Sequence, residues 1–571
     1  AIGSLIDEKP ILTFEAFVAG LPNWGIHTKP GPNSPTEKEI TLLCAAHNIF
    51  DHTVPIDEKI LFVETSSGSG LQGFAGLEAP PGMIYIATIS DGSGGTRIAC
   101  CERQTVIPAR MMIMGLNHDA MQDVTTDGKI IIKQIIEYLL QTTNIADCAL
   151  VFDNQTGDHK WSTPGNWAPA HNAVPKPFQA VRIEEDCEVD VTNAHCSSVR
   201  LMKGIYLGEN YDAHLTILPT GGLTVTDYIK EVHDANFMTT YPISSGDLLI
   251  RSTSEGNGAL VFGDESSDLA ATVEYYSKAY GSNVANPVWQ YIGIPISDRP
   301  MAIDAYYQAW MCCWENEGNV SSNWRWVENE DRIPPFKGYC ITQEAVKTYT
   351  HVGILSKPEE KNLNLRYFTS PDGDGFNMFA NSWVAPIDIT KMETEDFGGS
   401  AEPTIFIYNT GSRAEYEDGG DPSTAGTNVG AGQFNAIPVN AAEYLSGSLK
   451  KIPSMQGFFV QATKNGTLTL NYEKLCFNTP AFDTSTDPTR APKRVAKESE
   501  EINIIPEVMR LDVTSTKWGD RVYILTHEEF SEAFNLGWDG TKQEGDKVAP
   551  MLSMPTEAGE MAVAAVESAD G

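Results

Sequence analysis

The sequence predicts a multi-domain, mainly β protein, with an N-terminal α/β domain followed by β-solenoid or β-sandwich modules. Three observations predict it. Residues 1–146 hold a few short apolar runs and one stretch of helical periodicity. Residues 147–285 hold many short β-rich runs separated by Gly or Asp. Farther on, two phrases follow one pattern: Ile333-Pro334-Pro335-Phe336-Lys337-Gly338-Tyr339-Cys340 and Ile452-Pro453-Ser454-Met455-Gln456-Gly457-Phe458-Phe459. Proline lacks an amide proton and sits where ladder pairing begins. The β-rich run after each glycine then reads as a strand.

In the first segment, 40–46, 83–89 and 110–116 are largely apolar, with Pro and Gly near their ends, and read as buried strands. Thr125-Thr126-Asp127-Gly128 caps a helix whose buried face is Ile131, Ile132, Ile135, Ile136, Leu139 and Leu140. A strand feeding a helix on a buried sheet is the α/β pattern. With so few units before it, the sheet reads as incomplete at its N-terminus.

The segment 147–285 opens with the turn-rich Trp161-Ser162-Thr163-Pro164-Gly165-Asn166-Trp167. Strands are expected at 180–183, 188–191, 215–218, 222–225, 247–250, 259–262 and 272–276. Leu215-Thr216-Ile217, then Gly222, then Leu223-Thr224-Val225 favours stacked coils in which each rung buries its neighbour.

Residues 286–478 read as a duplicated β module built on the twin phrases. The first copy is led by Tyr291-Ile292-Gly293-Ile294-Pro295-Ile296, the second by Phe379-Ala380-Asn381-Ser382-Trp383-Val384-Ala385-Pro386-Ile387-Asp388. The second adds strands at 404–409 and 467–472 and a surface excursion at 410–435. Residues 479–503 form a polar linker, and 504–571 a partial β-sandwich unit with strands at 508–513 and 520–525.

The chain of 571 residues has 76 acidic against 40 basic residues, a net charge of −36. Such a field repels nucleic acid and anionic membranes. No run of 18 apolar residues occurs, so no transmembrane helix and no membrane insertion are expected. The ten cysteines include the vicinal pairs Cys100-Cys101 and Cys312-Cys313 and form no dense disulfide framework. Cys187 and Cys196, on a strand–turn–strand, are the candidate local disulfide. No zinc-ligand spacing occurs. The chain begins at Ala1, without Met, and reads as processed or as a fragment.

Several phrases together resemble the large secreted and cell-surface multi-module β proteins of Bacteroidota. They are Trp161…Trp167, Gly222-Leu223-Thr224-Val225, Thr272-Val273-Glu274-Tyr275-Tyr276, Trp289-Gln290-Tyr291-Ile292-Gly293-Ile294-Pro295, Pro403-Thr404-Ile405-Phe406-Ile407-Tyr408-Asn409 and Ile452–Val460. The resemblance spans roughly 150–571 and implies an adhesin-like protein secreted to the extracellular cell surface. Members of that family carry a C-terminal sorting domain read by the type IX secretion system; none is visible here. Separately, residues 110–140 are similar to the last strand and helix of flavodoxin-like or amidotransferase-like domains, without their catalytic residues.

Enzymatic patterns fail on spacing. Gly68-Ser69-Gly70 is not a nucleophile elbow, and His527-Glu528-Glu529 lacks the second His of a zincin. Gly92-Ser93-Gly94-Gly95 opens no helix pattern. Asp372-Gly373-Asp374-Gly375 resembles the front of a calcium loop, with Asp372 and Asp374 as ligands for Ca2+, but Phe376 stands where a fifth-position oxygen is needed. Trp310, Trp314, Trp324 and Trp326 form the densest aromatic group: sheet core when buried, a stacking platform for sugar rings when exposed, with Glu315, Asn316 and Asn323 as hydrogen-bonding neighbours. Glu328, Glu330 and Asp331 are the acidic groups beside it that a glycosidase would use.

The expectation is therefore a non-catalytic structural or adhesive protein of the cell surface. Its end units would be completed by strand addition from other copies of itself or from a cleaved N-terminal fragment, giving a polymer or filament. Glycans and host or cell-surface proteins are the other expected partners. A glycan-binding or glycan-degrading surface component is the alternative.

Overall fold

The computed structural model describes residues 150–168, 171–175, 179–206, 209–233, 240–263, 268–277, 289–318, 321–410, 432–445, 450–478, 504–514, 518–547 and 549–568. Before residue 150 it describes 11–13, 39–42, 59–62, 83–90, 96–103, 111–114, 123–125, 128–129, 131–132 and 135. The expected linker at 479–503 and most of the excursion at 410–435 lie outside these. The chain divides into two compact units: residues 1–216, 223–248 and 262–267 form one, and 217–222, 249–261 and 268–571 the other. The described residues are mainly β.

In the first unit, six strands form one sheet in the order Ile11–Thr13, Met111–Met114, Thr96–Arg103, Met83–Ser90, Glu39–Leu42, Lys59–Leu61. The first pair is parallel and the others antiparallel. The reason is chain length: only residues 91–95 and 104–110 separate the last three of these strands in sequence. A parallel return needs a crossover of about a dozen residues or more. Gly128, Lys129, Ile131, Ile132 and Ile135 are helical, with Ile131 and Ile135 buried. The Gly128 N–H donates to Thr125 Oγ1 at 2.9 Å, a local cap. Ile136, Leu139 and Leu140 lie outside the described residues.

From Ala180 the chain visits three ladders in rotation. Ala180–Ile183, Ser198–Tyr206 and Ile229–Val232 pair in parallel in the first. Cys187–Val189 and Leu215–Ile217 pair in the second, and Ala194–Cys196 with Gly222–Val225 in parallel in the third. Alternate residues point inward: Val181, Ile183, Val189, Cys196, Leu215, Ile217, Leu223 and Val225 are each fully buried. Ahead of these strands, Trp161 and Trp167 pack edge to face at 4.7 Å, and Trp167 Nε1 donates to the Trp161 carbonyl at 2.8 Å. Buried Asn166 ties the turn together, accepting from Thr156 Oγ1 at 2.6 Å and donating to Asp158 Oδ1 at 2.6 Å.

The second unit holds two four-stranded antiparallel sheets. The first contains β1 (Gln290–Ile292), β2 (Trp310–Trp314), β3 (Trp324–Trp326) and β4 (Tyr339–Thr342). The second contains β5 (Phe376–Ala380), β6 (Thr404–Tyr408), β7 (Phe434–Pro438) and β8 (Gly457–Gln461). Their orders are β1-β4-β2-β3 and β5-β8-β6-β7, the same succession of first, fourth, second and third strand. The twin phrases lead into the fourth strand of each.

Those phrases also interlock. The Gly293 N–H donates to the Met455 carbonyl at 2.9 Å, and the Ala380 N–H to the Phe336 carbonyl at 3.2 Å. Ile292 bridges Gln456, and Phe379 bridges Lys337. Phe336 and Met455, each three residues after its phrase's isoleucine, both adopt left-handed backbone, with φ of 62° and 60°. A side chain at positive φ costs roughly 1–2 kcal/mol, so packing holds both; Met455 is 1% exposed. Gly338 and Gly457 admit the opposite sheet's first strand. A Cβ at Gly338 would lie 2.7 Å from Phe379 O, and one at Gly457 3.0 Å from Tyr291 Cβ.

One core runs beneath the second sheet, through Trp383, Ile387, Phe397, Ile405, Phe458, Leu468 and Leu470. It continues into Tyr523, Leu525, Val563 and Ala565 of the C-terminal sheet. That sheet is ordered Glu507–Thr514, Gly519–Thr526, Gly559–Val566, Gly540–Thr541, with Met554–Thr556 paired to Gly559–Val566.

Candidate functional site

The register of β2 and β3 sets Trp314 opposite Trp324 and Cys312 opposite Trp326. Side chains alternate along a strand, so Trp310, Cys312, Trp314, Trp324 and Trp326 share one face. Its inner end is core. Trp314 is 4% exposed, donates Nε1 to the Phe376 carbonyl at 2.7 Å, and packs against Phe459 at 5.0 Å and Trp324 at 5.1 Å. Its outer end is open: Trp310 is 41% exposed and Trp326 58%, with Trp289 at 6.2 Å from Trp326. The four tryptophans thus divide between packing and surface.

Of the polar neighbours, Asn323 and Glu315 are already engaged, while buried Asn316 Oδ1 has no hydrogen-bond partner among the described residues. Asn323 is buried and donates to the Glu315 and Glu317 carbonyls at 2.6 and 2.8 Å. Glu315 pairs with Arg325 at 3.1 Å and Lys337 at 3.2 Å, and Arg325 also pairs with Asp331 at 3.1 Å. Burial raises the Glu315 carboxyl, but the Cys313 thiol, Lys337 and Arg325 outweigh it and hold it below its ordinary range. Asp331 is held down by Arg325 and the Glu328 N–H. Both carboxylates are kept ionised through one guanidinium, which suits a structural network better than an acid and base of opposed character.

Asp372 Oδ2 accepts from Ser322 Oγ at 2.8 Å and the Asn323 N–H at 2.6 Å, and Asp374 Oδ1 accepts from the Ser370 N–H at 2.8 Å. Asp374 thus acts as a turn acceptor within its loop, while Asp372 ties that loop to the Ser322–Asn323 segment. Cys187 and Cys196 are two free, buried thiols on Cys187–Val189 and Ala194–Cys196. Burial raises both, Cys187 with help from nearby Asp190 and Glu188.

One cluster has no sequence signature. Lys203, Asp212, Glu231, His233, Ser244 and Asp247 line a shallow basin of about 380 Å³. Lys203 Nζ lies 2.5 Å from Asp247 and 2.9 Å from Asp212. Glu231 accepts from the Ser244 N–H at 2.5 Å and pairs with His233 at 2.8 Å. Ligand atoms of Asp212, His214 and Asp247 fall within 4.8 Å of one another, but the Lys203 ammonium already bridges the two carboxylates. These residues are far apart in sequence, and only the stacking of successive strands gathers them.

Sheets and sites together define a β-rich chain in which buried Lys203 and buried Asp520 each meet opposite charge. No family model matches it, and no solved structure matches it. Among curated proteins it is similar to the minor fimbrium subunit Mfa5 of Porphyromonas gingivalis, 26% identical over 423 residues. The match covers 69% of this chain and 32% of that protein, so the chain spans about a third of its relative's length.

Proposed function

We propose that this chain is a non-enzymatic structural and adhesive component of the cell surface that assembles with other subunits into filaments. The observation that carries the reading is the similarity to a fimbrium subunit of a Bacteroidota species. The architecture supports it. Interlocked sheets, buried ion pairs and a shared core suit a load-bearing module. No described helix is long and apolar enough to cross a membrane. The relative's name concerns a fimbrium and lends no support to the type IX export route. The rotation through three ladders between 180 and 232 supports the β-solenoid alternative for that segment.

Surface labelling of intact source cells, followed by non-denaturing purification, tests the reading. The expected result is a labelled chain that co-purifies in assemblies with further subunits. A chain protected from labelling and isolated as a lone 62.4 kDa species would overturn it.

Exposed Trp310 and Trp326 on one face favour a second reading, glycan contact at the outer end of β2 and β3. Glycan-array binding by the full chain, lost in Trp326→Ala, is the expected outcome. Unchanged binding in that variant, or none to any glycan, removes this reading.

A further inference from the structure

Cys187 and Cys196 stand on strands of two different sheets. Cys312 and Cys340 differ. They stand directly opposite each other on the antiparallel neighbours β2 and β4. Both belong to the aromatic cluster that includes Tyr291, Trp314 and Phe459, at 7% and 4% exposure. They therefore point to the same side of the sheet.

The register can be refined further. The Glu315 N–H donates to the Asn323 carbonyl, and the Val327 N–H to the Met311 carbonyl, so odd-numbered residues of β2 turn their backbone groups towards β3. Even-numbered residues, Cys312 among them, turn theirs towards β4. Cys312 and Cys340 thus form a hydrogen-bonded pair, whose Cα atoms lie about 5.5 Å apart in an antiparallel ladder. That is the commonest Cα separation for a disulfide. The two thiols also act on each other electrostatically: the Cys340 thiol, as donor, holds Cys312 below its ordinary range, while burial and that same interaction push Cys340 up.

We propose that Cys312 and Cys340 are a redox-active pair that closes to a cross-strand disulfide, stapling the β2–β3 hairpin to β4. In the step, both thiols lose their protons and a disulfide-bearing oxidant, R–S–S–R, takes the electron pair. One sulfur–sulfur bond forms within the sheet, one breaks in the oxidant, and two R–SH leave. The oxidant class is a small-molecule or protein disulfide acting by exchange. The bond belongs to the reversible kind. The Cβ atoms of directly opposite residues lie about 4.5–5.5 Å apart, against about 3.8 Å in a relaxed disulfide, and a strained disulfide is more easily reduced. Burial at 7% and 4% places formation while the hairpin is still docking, or during its transient opening.

The vicinal Cys313 does not compete. It lies on the opposite face of β2, where its thiol hydrogen-bonds Glu315 at 3.2 Å. Burial pushes it up to about 11.

The experiment refolds the full chain in graded mixtures of reduced and oxidised glutathione, quenches with acid, alkylates under denaturing conditions and maps the peptides. The expected result is a peptide joining Cys312 to Cys340 that grows with the oxidised fraction and disappears under mild dithiol. The oxidised chain should melt several degrees higher than the reduced one, a gain absent in Cys312→Ser. Should Cys312→Ser fail to fold, Cys340→Ala serves in its place, and mapping of the unmodified chain stands alone. Full alkylation of both cysteines at every ratio, or a crosslink that instead joins Cys313, would overturn the proposal.

Discussion

The Gly293 N–H donates to the Met455 carbonyl at 2.9 Å, joining the strand that opens one sheet to the phrase that closes the other. Its counterpart, Ala380 to Phe336, runs the other way between the same two sheets. Each phrase therefore does two things. It starts its own sheet's fourth strand, and its left-handed residue turns a carbonyl towards the other sheet's first strand. Such reciprocity makes the two sheets one cooperative unit, since opening either phrase breaks contacts in both.

Glycine at the interlock is required by space. Gly338→Ala places a Cβ 2.5 Å from Met378 Cγ and 2.7 Å from the Phe379 carbonyl. The backbone oxygen cannot move aside as a side chain can, so overpacking of about 1–3 kcal/mol is expected. Gly457→Ala, meeting its nearest atoms at 3.0 Å and beyond, should cost less. Urea unfolding of the two variants, compared at equal m, checks the order.

His351 gives a pH dependence. It is 2% exposed, neither ring nitrogen has a hydrogen-bond partner among the described residues, and burial lowers its pKa to about 4. Unfolded, it titrates near 6.5. Between those values the unfolded chain binds the proton and the folded chain does not, so stability rises with pH there and is full above about 6.5. Acidification from pH 7 to 4 should remove on the order of 3 kcal/mol through this residue. In His351→Phe, that part of the stability–pH curve should flatten.

A buried ion pair fixes the C-terminal sheet. Lys542 Nζ sits 2.6 Å from both Asp520 oxygens, with both side chains under 4% exposed. Asp520 also accepts the Arg521 and Leu552 N–H groups at 2.8 and 2.5 Å. Lys542→Met leaves a buried carboxylate without its counter-charge and should cost about 3–5 kcal/mol. The double variant Lys542→Met with Asp520→Asn should recover part of that, measured by chemical denaturation.

The tryptophans separate packing from surface. Trp314→Ala empties a core site and removes the partner of the Phe376 carbonyl, an expected loss of about 3–5 kcal/mol. Trp326→Ala, at 58% exposure, should stay within about 1 kcal/mol of the parent. Thermal melts of both variants decide whether one face carries two roles.

Short strands were legible where alternation and turn residues coincide. The expected 180–183, 222–225 and 259–262 match Ala180–Ile183, Gly222–Val225 and Ala259–Phe262. The nine-residue strand Ser198–Tyr206 was missed, because Arg200 and Lys203 break its apolar run. Lys203 is nonetheless buried, its charge met by Asp247 and Asp212. Thr96–Arg103 was missed for a similar reason: Arg97, Glu102 and Arg103 flank its apolar centre.

By itself, the sequence determined the β-rich class, the acidic character and the positions of the twin phrases, because alternation, composition and proline–glycine placement are local properties of a chain. Tertiary structure alone decided what the phrases do, which tryptophans are buried, and that Cys312 faces Cys340. Those outcomes depend on register and on which strands become neighbours. A one-residue shift in register would turn every side chain of β2 to the other face, and no local pattern in the sequence fixes that choice.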